Sequence, residues 1–127
     1  MKNDSMKKKL ILLAYIIFSI FIVFLTTSKP SESGIGFLER LQIPHLDKFL
    51  HFSAYAVHGG FSVLVIRHAV IAIAWSFFFS SLMEVIQYFL PYRTFELMDL
   101  VANLIGCVAG GFFIVQIEKY LQSRQRF

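Results

Sequence analysis

Four long apolar stretches, separated by short polar ones, organise this chain. Residues 10–26 read LILLAYIIFSIFIVFLT without a charge, and residues 49–66 read FLHFSAYAVHGGFSVLVI with only two His. Residues 69–90, AVIAIAWSFFFSSLMEVIQYFL, carry one Glu, and residues 100–115, LVANLIGCVAGGFFIV, carry no charge. A membrane-crossing helix needs about 17–25 mostly apolar residues. All four runs reach that length, the last once 97–99 and 116–117 extend it. The pattern predicts an all-α, polytopic membrane protein, a bundle of four transmembrane helices at roughly 10–27, 47–66, 69–90 and 98–117. These form one domain over 1–127 with a single substantial outer loop, 28–46, where Pro30, Gly34, Gly36 and Pro44 mark irregular or turn structure. The first run exceeds the roughly 7–15 residues of a signal-peptide core, so it reads as an uncleaved first helix rather than a signal.

Composition supports that solvent assignment. The chain is 57% apolar, 17% aromatic and 16% charged, whereas soluble domains carry about 25% charged residues. The mean hydropathy is +0.66. Orientation follows from the basic residues, which gather on the cytoplasmic side of membrane proteins. Lys2, Lys7, Lys8, Lys9, Arg67, Lys119, Arg124 and Arg126 would share one side, and Lys29, Arg40, Lys48 and Arg93 the other, eight against four. Both termini are therefore expected in the cytoplasm. The net charge of +4 reflects this topology and attraction to anionic lipid. It is not a nucleic-acid footprint, because the basic residues are split among separate juxtamembrane segments. The lone Cys107 has no intramolecular disulfide partner.

Polar residues inside the apolar runs fall into stripes. Asp47, His51, Tyr55 and His58 are spaced 4, 4 and 3 apart, one face of a helix. Ser80, Glu84 and Gln87 share a face of the next helix, and Asp99, Asn103, Gly106 and Gly110 share a face of the last. At about 1.5 Å per residue, Tyr55 lies roughly 12 Å below Asp47, and Glu84 about 9–10 Å below the outer end of its helix. Three helices thus place polar stripes in the outer half of the membrane. An ionised Glu at mid-bilayer costs on the order of 2.5–3.5 kcal/mol on insertion scales, so Glu84 should face the bundle interior, where Arg93, His51 or Gln87 could meet it.

Each of these residues admits a structural and a functional role. His51 with Asp47 one turn earlier could be a metal pair, a base with its orienter, or an ordinary helix-start hydrogen bond. Glu84 is a functional candidate by virtue of its depth. Arg93 could grip a phosphate or carboxylate or serve as Glu84's counter-ion. Asp99 suits helix capping, Asn103 an interhelical hydrogen bond, and Gly59, Gly60, Gly106 and Gly110 close helix packing. His58 and His68 read as structural or interfacial.

At these positions the chain resembles the VanZ-like family, named for a teicoplanin-resistance membrane protein. The resemblance runs from about Asp47 to Phe112. It is carried by DKFLHFSAY (47–55) and by EVIQYFLPYRTFELMDLVANLIGCVAG (84–110), in that order and spacing. The segment TFEL (94–97) departs from the small or Ser-containing stretch expected there. The resemblance implies a small protein of the bacterial cytoplasmic membrane with a link to glycopeptide tolerance or envelope biology. It does not settle an activity.

Three functional readings follow. In the first, Asp47, Lys48, His51, Tyr55, Glu84, Gln87, Arg93, Asp99 and Asn103 build an outer-leaflet site for a lipid headgroup or lipid-linked envelope precursor. In the second, the protein is an intramembrane enzyme acting on a lipid-linked phosphate or acyl group, with Glu84 or His51 as acid/base and Arg93 as anion clamp. No nucleophile elbow, HExxH or phosphate-cradling Gly loop accompanies it. In the third, the polar core only fixes helix register for a partner. No cofactor and no metal is expected, and no repeated halves of the kind found in secondary transporters are visible.

Overall fold

The computed structural model describes residues 2–29, 32 and 36–125. Five helices follow one another: α1 (Lys2–Thr27), α2 (Gly36–Arg40), α3 (Leu46–Ile66), α4 (Ala69–Tyr88) and α5 (Leu97–Arg124). The described residues contain no strand. All but α2 are long and apolar enough to cross a membrane. The protein is all-helical with four candidate spans, as the hydropathy pattern predicts.

Three boundaries differ from the sequence reading, each for a physical reason. α1 starts at Lys2 and α5 runs to Arg124. Hydropathy marks only the part of a helix that lies in lipid, whereas Lys, Glu, Gln and Arg continue it readily in water. α4 stops at Tyr88 because Pro91 disfavours helical backbone at Leu90. Its end tightens through Phe89 N–H to Ile86 O (3.1 Å) and Leu90 N–H to Gln87 O (3.0 Å). The 28–46 loop is not wholly irregular, since Gly36 belongs to the short α2. Pro30, Gly34 and Arg126, and the side chains of Lys2 and Glu39, lie outside the described residues.

α3 is the centre of the bundle. One third of its span (33%) is buried, against 6% for α1. Its closest neighbour is α5, and glycine makes that approach possible. A Cβ on Gly110 would overlap the Ala56 carbonyl, one on Gly106 the Phe52 carbonyl, and one on Gly59 would sit 2.6 Å from the Cys107 carbonyl oxygen. The GxxxG expectation therefore holds: the two backbones touch where any side chain would force them apart. α4 covers one side of this pair, and α1 lies across α3 and α4. The small apolar core joins Ile22, Tyr55, Met83 and Cys107, flanked by Phe18, Phe77 and Phe79. Large apolar side chains such as Ile20, Phe49, Val70, Phe78 and Phe113 face outward, the arrangement expected where lipid is the solvent.

α1 would be loosely attached on area alone, but its C-terminal end is tied. The last carbonyls of a helix have no partner within it. Here Leu25 O accepts from Arg93 Nη2 (2.8 Å), Thr26 O from Gln87 Nε2 (3.2 Å), Thr27 O from Tyr92 Oη (2.7 Å) and Ser28 O from Arg93 Nη2 (2.9 Å). Residues around Pro91 thus cap a helix more than 60 positions earlier in the chain.

Candidate functional site

The three predicted stripes meet. α3 brings His51 to α5's Asn103, with Nδ1 3.0 Å from Asn103 Oδ1. Asn103 Nδ2 donates in turn to Glu84 Oε1 of α4 at 3.0 Å. His51 Nδ1 also lies 3.5 Å from Glu84 Oε1, and Nε2 3.8 Å from Asp99 Oδ2. The hydrogen-bond pattern assigns the proton to Nδ1 of His51, since the amide oxygen of Asn103 can only accept. Glu84 is 2% exposed and Asn103 fully buried.

Above this layer Lys48 sits among three carboxylates. Its ammonium contacts Asp47 Oδ2 and Glu96 Oε2 at 2.5 Å and Asp99 Oδ1 at 2.8 Å. Ligand atoms of Asp47, Glu96 and Asp99 lie within 4.8 Å of one another, a spacing that could hold a cation. Lys48 supplies the positive charge at that point, so the donors have a partner without a metal.

Three pairings differ from the expected ones. Asp47 is not the orienter of His51. It turns to Lys48, and Asn103 with Glu84 hold the imidazole instead. Asp99 does not act as a side-chain cap for α5. Glu96 occupies the cap position, without a side-chain cap bond, and the Asp99 carboxylate goes to Lys48. A long, flexible Lys reaches across helices more easily than a short Asp bends back along its own. Arg93 is likewise not Glu84's counter-ion. Its Nη2 closes the end of α1, because four free carbonyls are nearer to hand than a buried carboxylate.

Beside the network lies a cavity of about 320 Å³, walled by α1, α3, α4 and the α2–α3 link. Asp47, His51, Tyr55, Gln87 and Arg93 give most of its polar lining, and Ile22, Leu25, Leu46 and Leu50 much of its apolar lining. Four buried polar atoms here make no hydrogen bond: Tyr55 Oη, Glu84 Oε2, Arg93 Nε and Asp99 Oδ1, the last with the Lys48 ammonium 2.8 Å away. Tyr55 and Arg93 line the cavity directly, and Glu84 stands behind His51. Buried polar groups in native proteins are nearly always paired, so the two orphans in the cavity wall, Tyr55 Oη and Arg93 Nε, point to something that enters it. The arrangement offers a guanidinium N–H, a phenol, an imidazole and a carboxylate to a molecule whose remainder is apolar.

A second polar cluster lies deeper, and sequence reasoning passed over it. His58, fully buried, has Nδ1 2.6 Å from Ser76 Oγ and Nε2 3.3 Å from Ser19 Oγ, and stacks on Phe79 at 4.7 Å between ring centroids. Cys107 Sγ donates to Ser76 Oγ (3.2 Å). Next to it Tyr15 Oη accepts from Trp75 Nε1 (2.9 Å) and Ser62 Oγ (3.4 Å). The available signal was spacing, since His58 continues the 47–51–55 stripe and Ser76 continues 80–84 by one helical turn. Glu96 was also missed as a site neighbour. It lies in the TFEL segment whose composition looked atypical. His68 is exposed at the start of α4.

A family model for VanZ/LLP1 matches residues 7–118 of this chain. The chain is also similar to "Uncharacterized protein C11E3.10" of Schizosaccharomyces pombe, with 36% identity over 97 residues, 72% of this chain and 57% of that protein. It thus spans little more than half the length of this relative. No solved structure matches it.

Proposed function

The chain belongs to the VanZ/LLP1 family, and from that membership and the geometry above we propose that it binds the headgroup of a membrane lipid or lipid-linked envelope precursor in the outer half of its bundle. The cavity beside His51 carries this reading. Its volume of about 320 Å³ falls at the lower end of the roughly 300–1,000 Å³ typical of ligand sites. Its polar lining contains unpaired donors, and its apolar wall suits the chain of an amphiphile. The orientation that goes with it puts the N and C termini in the cytoplasm of a bacterial cell and the cavity at the outer leaflet. There, sequestering a lipid or precursor would change how the envelope meets a lipophilic glycopeptide such as teicoplanin. The similar chain in a eukaryote favours a ligand common to many membranes.

The test is lipid retention. Ala54 lines the cavity without taking part in the polar network, so Ala54→Phe fills the space and leaves the charges in place. Mass spectrometry of lipids retained by the detergent-purified protein should show one class enriched in the wild type and lost in Ala54→Phe. Equal retention by both proteins would end this reading.

One observation favours a second reading, an intramembrane enzyme. His51 lines the cavity with Asn103 and Glu84 behind it, the arrangement of an acid/base with its orienting groups. That reading predicts that His51→Gln keeps lipid retention while abolishing turnover of the retained lipid.

A further inference from the structure

Four carboxyl groups, Asp47, Glu84, Glu96 and Asp99, stand around Lys48 and His51. Lys48 is already shared by three of them. Among the described residues that line the cavity, the remaining fixed cation is Arg93, one of whose guanidinium nitrogens is spent on α1 while Nε stays buried and unpaired. Even with His51 protonated, the site holds four acidic groups against three basic ones. Asp47 and Glu96 are more than half exposed and screened by water, so the imbalance is felt mainly at the deeper Glu84 and Asp99. A headgroup carrying only a phosphate would meet the Arg93 guanidinium but also Asp47, the carboxylate that lines the cavity. A headgroup with an ammonium beside its phosphate meets both needs.

Resting on the lipid-site reading above, we infer that the cavity selects an aminophospholipid, a headgroup in which an N–H-bearing ammonium stands next to a phosphate. The phosphate accepts from Arg93 Nε at the cavity wall. The ammonium lies toward Asp47 and His51, with Tyr55 Oη as a neutral acceptor and the Glu84 charge behind. Tyr55 is 1% exposed and Glu84 2%, and each presents an unpaired oxygen. The carboxylate oxygen needs a donor, and the phenol, a donor itself, can also accept one. A quaternary ammonium has the charge and no N–H, so it satisfies neither oxygen by hydrogen bonding. The apolar wall at Ile22, Leu25, Leu46 and Leu50 takes the start of the acyl chains.

The full chain in non-ionic detergent, titrated with dihexanoyl-phosphatidylethanolamine, -phosphatidylcholine and -phosphatidylglycerol, tests this by thermophoresis. The ethanolamine lipid should bind at least about tenfold more tightly than the other two. Asp47→Asn and Glu84→Gln should shrink its advantage over the glycerol lipid, and Arg93→Gln should weaken all three together. The Asp47 side chain is 58% exposed, so Asp47→Asn keeps the test alive if the buried substitution fails to fold. Choline or glycerol lipid binding as tightly as ethanolamine lipid would overturn the headgroup assignment while leaving a lipid site in place. Binding of none of the three, or binding unaffected by Ala54→Phe, would overturn the lipid site itself and this assignment with it.

Discussion

The bundle contains two polar clusters built from the same kinds of residue, and they are finished differently. Around His58 both ring nitrogens have a hydroxyl within reach, Phe79 covers one face, Cys107 donates to Ser76 and Ser62 donates to Tyr15. Around His51, four buried polar atoms make no hydrogen bond and a cavity opens alongside. Polar groups at membrane depth cost free energy unless paired. The inner cluster offsets that cost internally, as an element of packing does. The outer cluster leaves part of it standing, as a site kept ready for a ligand does. Depth and residue type alone do not separate the two, but the state of the hydrogen bonds does.

The largest effect should come from removing the frame both clusters share. Gly110→Val pushes a side chain into the Ala56 carbonyl, so α3 and α5 must separate. Overpacking of this kind costs about 3 kcal/mol or more, and the expected outcome is loss of monodisperse protein on gel filtration. A well-folded Gly110→Val protein would mean that α3 and α5 are not in backbone contact. Next comes the inner cluster itself. His58→Ala leaves a void under Phe79 and deprives Ser76 and Ser19 of their partner, at about 3 kcal/mol. The thermal midpoint should drop clearly, while lipid retained per folded molecule stays the same. If retention fell before stability, the two clusters would be one functional unit and the contrast would fail.

How much of this the sequence reveals depends on distance along the chain. Four helices are legible because 17 or more apolar residues in a row have few alternatives. The stripe 47–51–55–58 is legible because helical periodicity is local. α2 is not, since five residues carry no period. Partners across helices are not legible either. Lys48 lies off the stripe and nothing near it in sequence names Glu96 or Asp99. Arg93 and the Leu25 carbonyl are 68 residues apart, and their meeting depends on where α1 ends relative to the α4–α5 link. His58's spacing gives its face but not its hydroxyl neighbours.

A smaller effect sharpens the account of the rim. Lys48→Met leaves Asp47, Glu96 and Asp99 facing one another without their cation. Partly exposed ion pairs contribute up to about 1 kcal/mol, so the loss of midpoint should be modest. The informative readout is rescue: calcium should raise the midpoint of Lys48→Met and leave the wild type unmoved. Equal responses would show that Lys48 does not fill the cation's place.

The smallest effect on stability is also the most discriminating. Glu84→Gln keeps the shape of the side chain and its acceptor oxygen for Asn103, while the amide's N–H₂ replaces an oxygen that has no partner. Were Glu84 half of a structural ion pair, losing its charge would cost on the order of 3–5 kcal/mol. The geometry argues otherwise, because His51 reaches Glu84 Oε1 only at 3.5 Å, beyond its closer contact with Asn103. The midpoint should therefore move by less than about 1 kcal/mol equivalent, or rise, as when a charge kept for function is removed. A fall as large as that of His58→Ala would make the outer cluster a packing element like the inner one. An unchanged midpoint combined with altered lipid retention would instead place the carboxylate's role outside stability, in what the cavity holds.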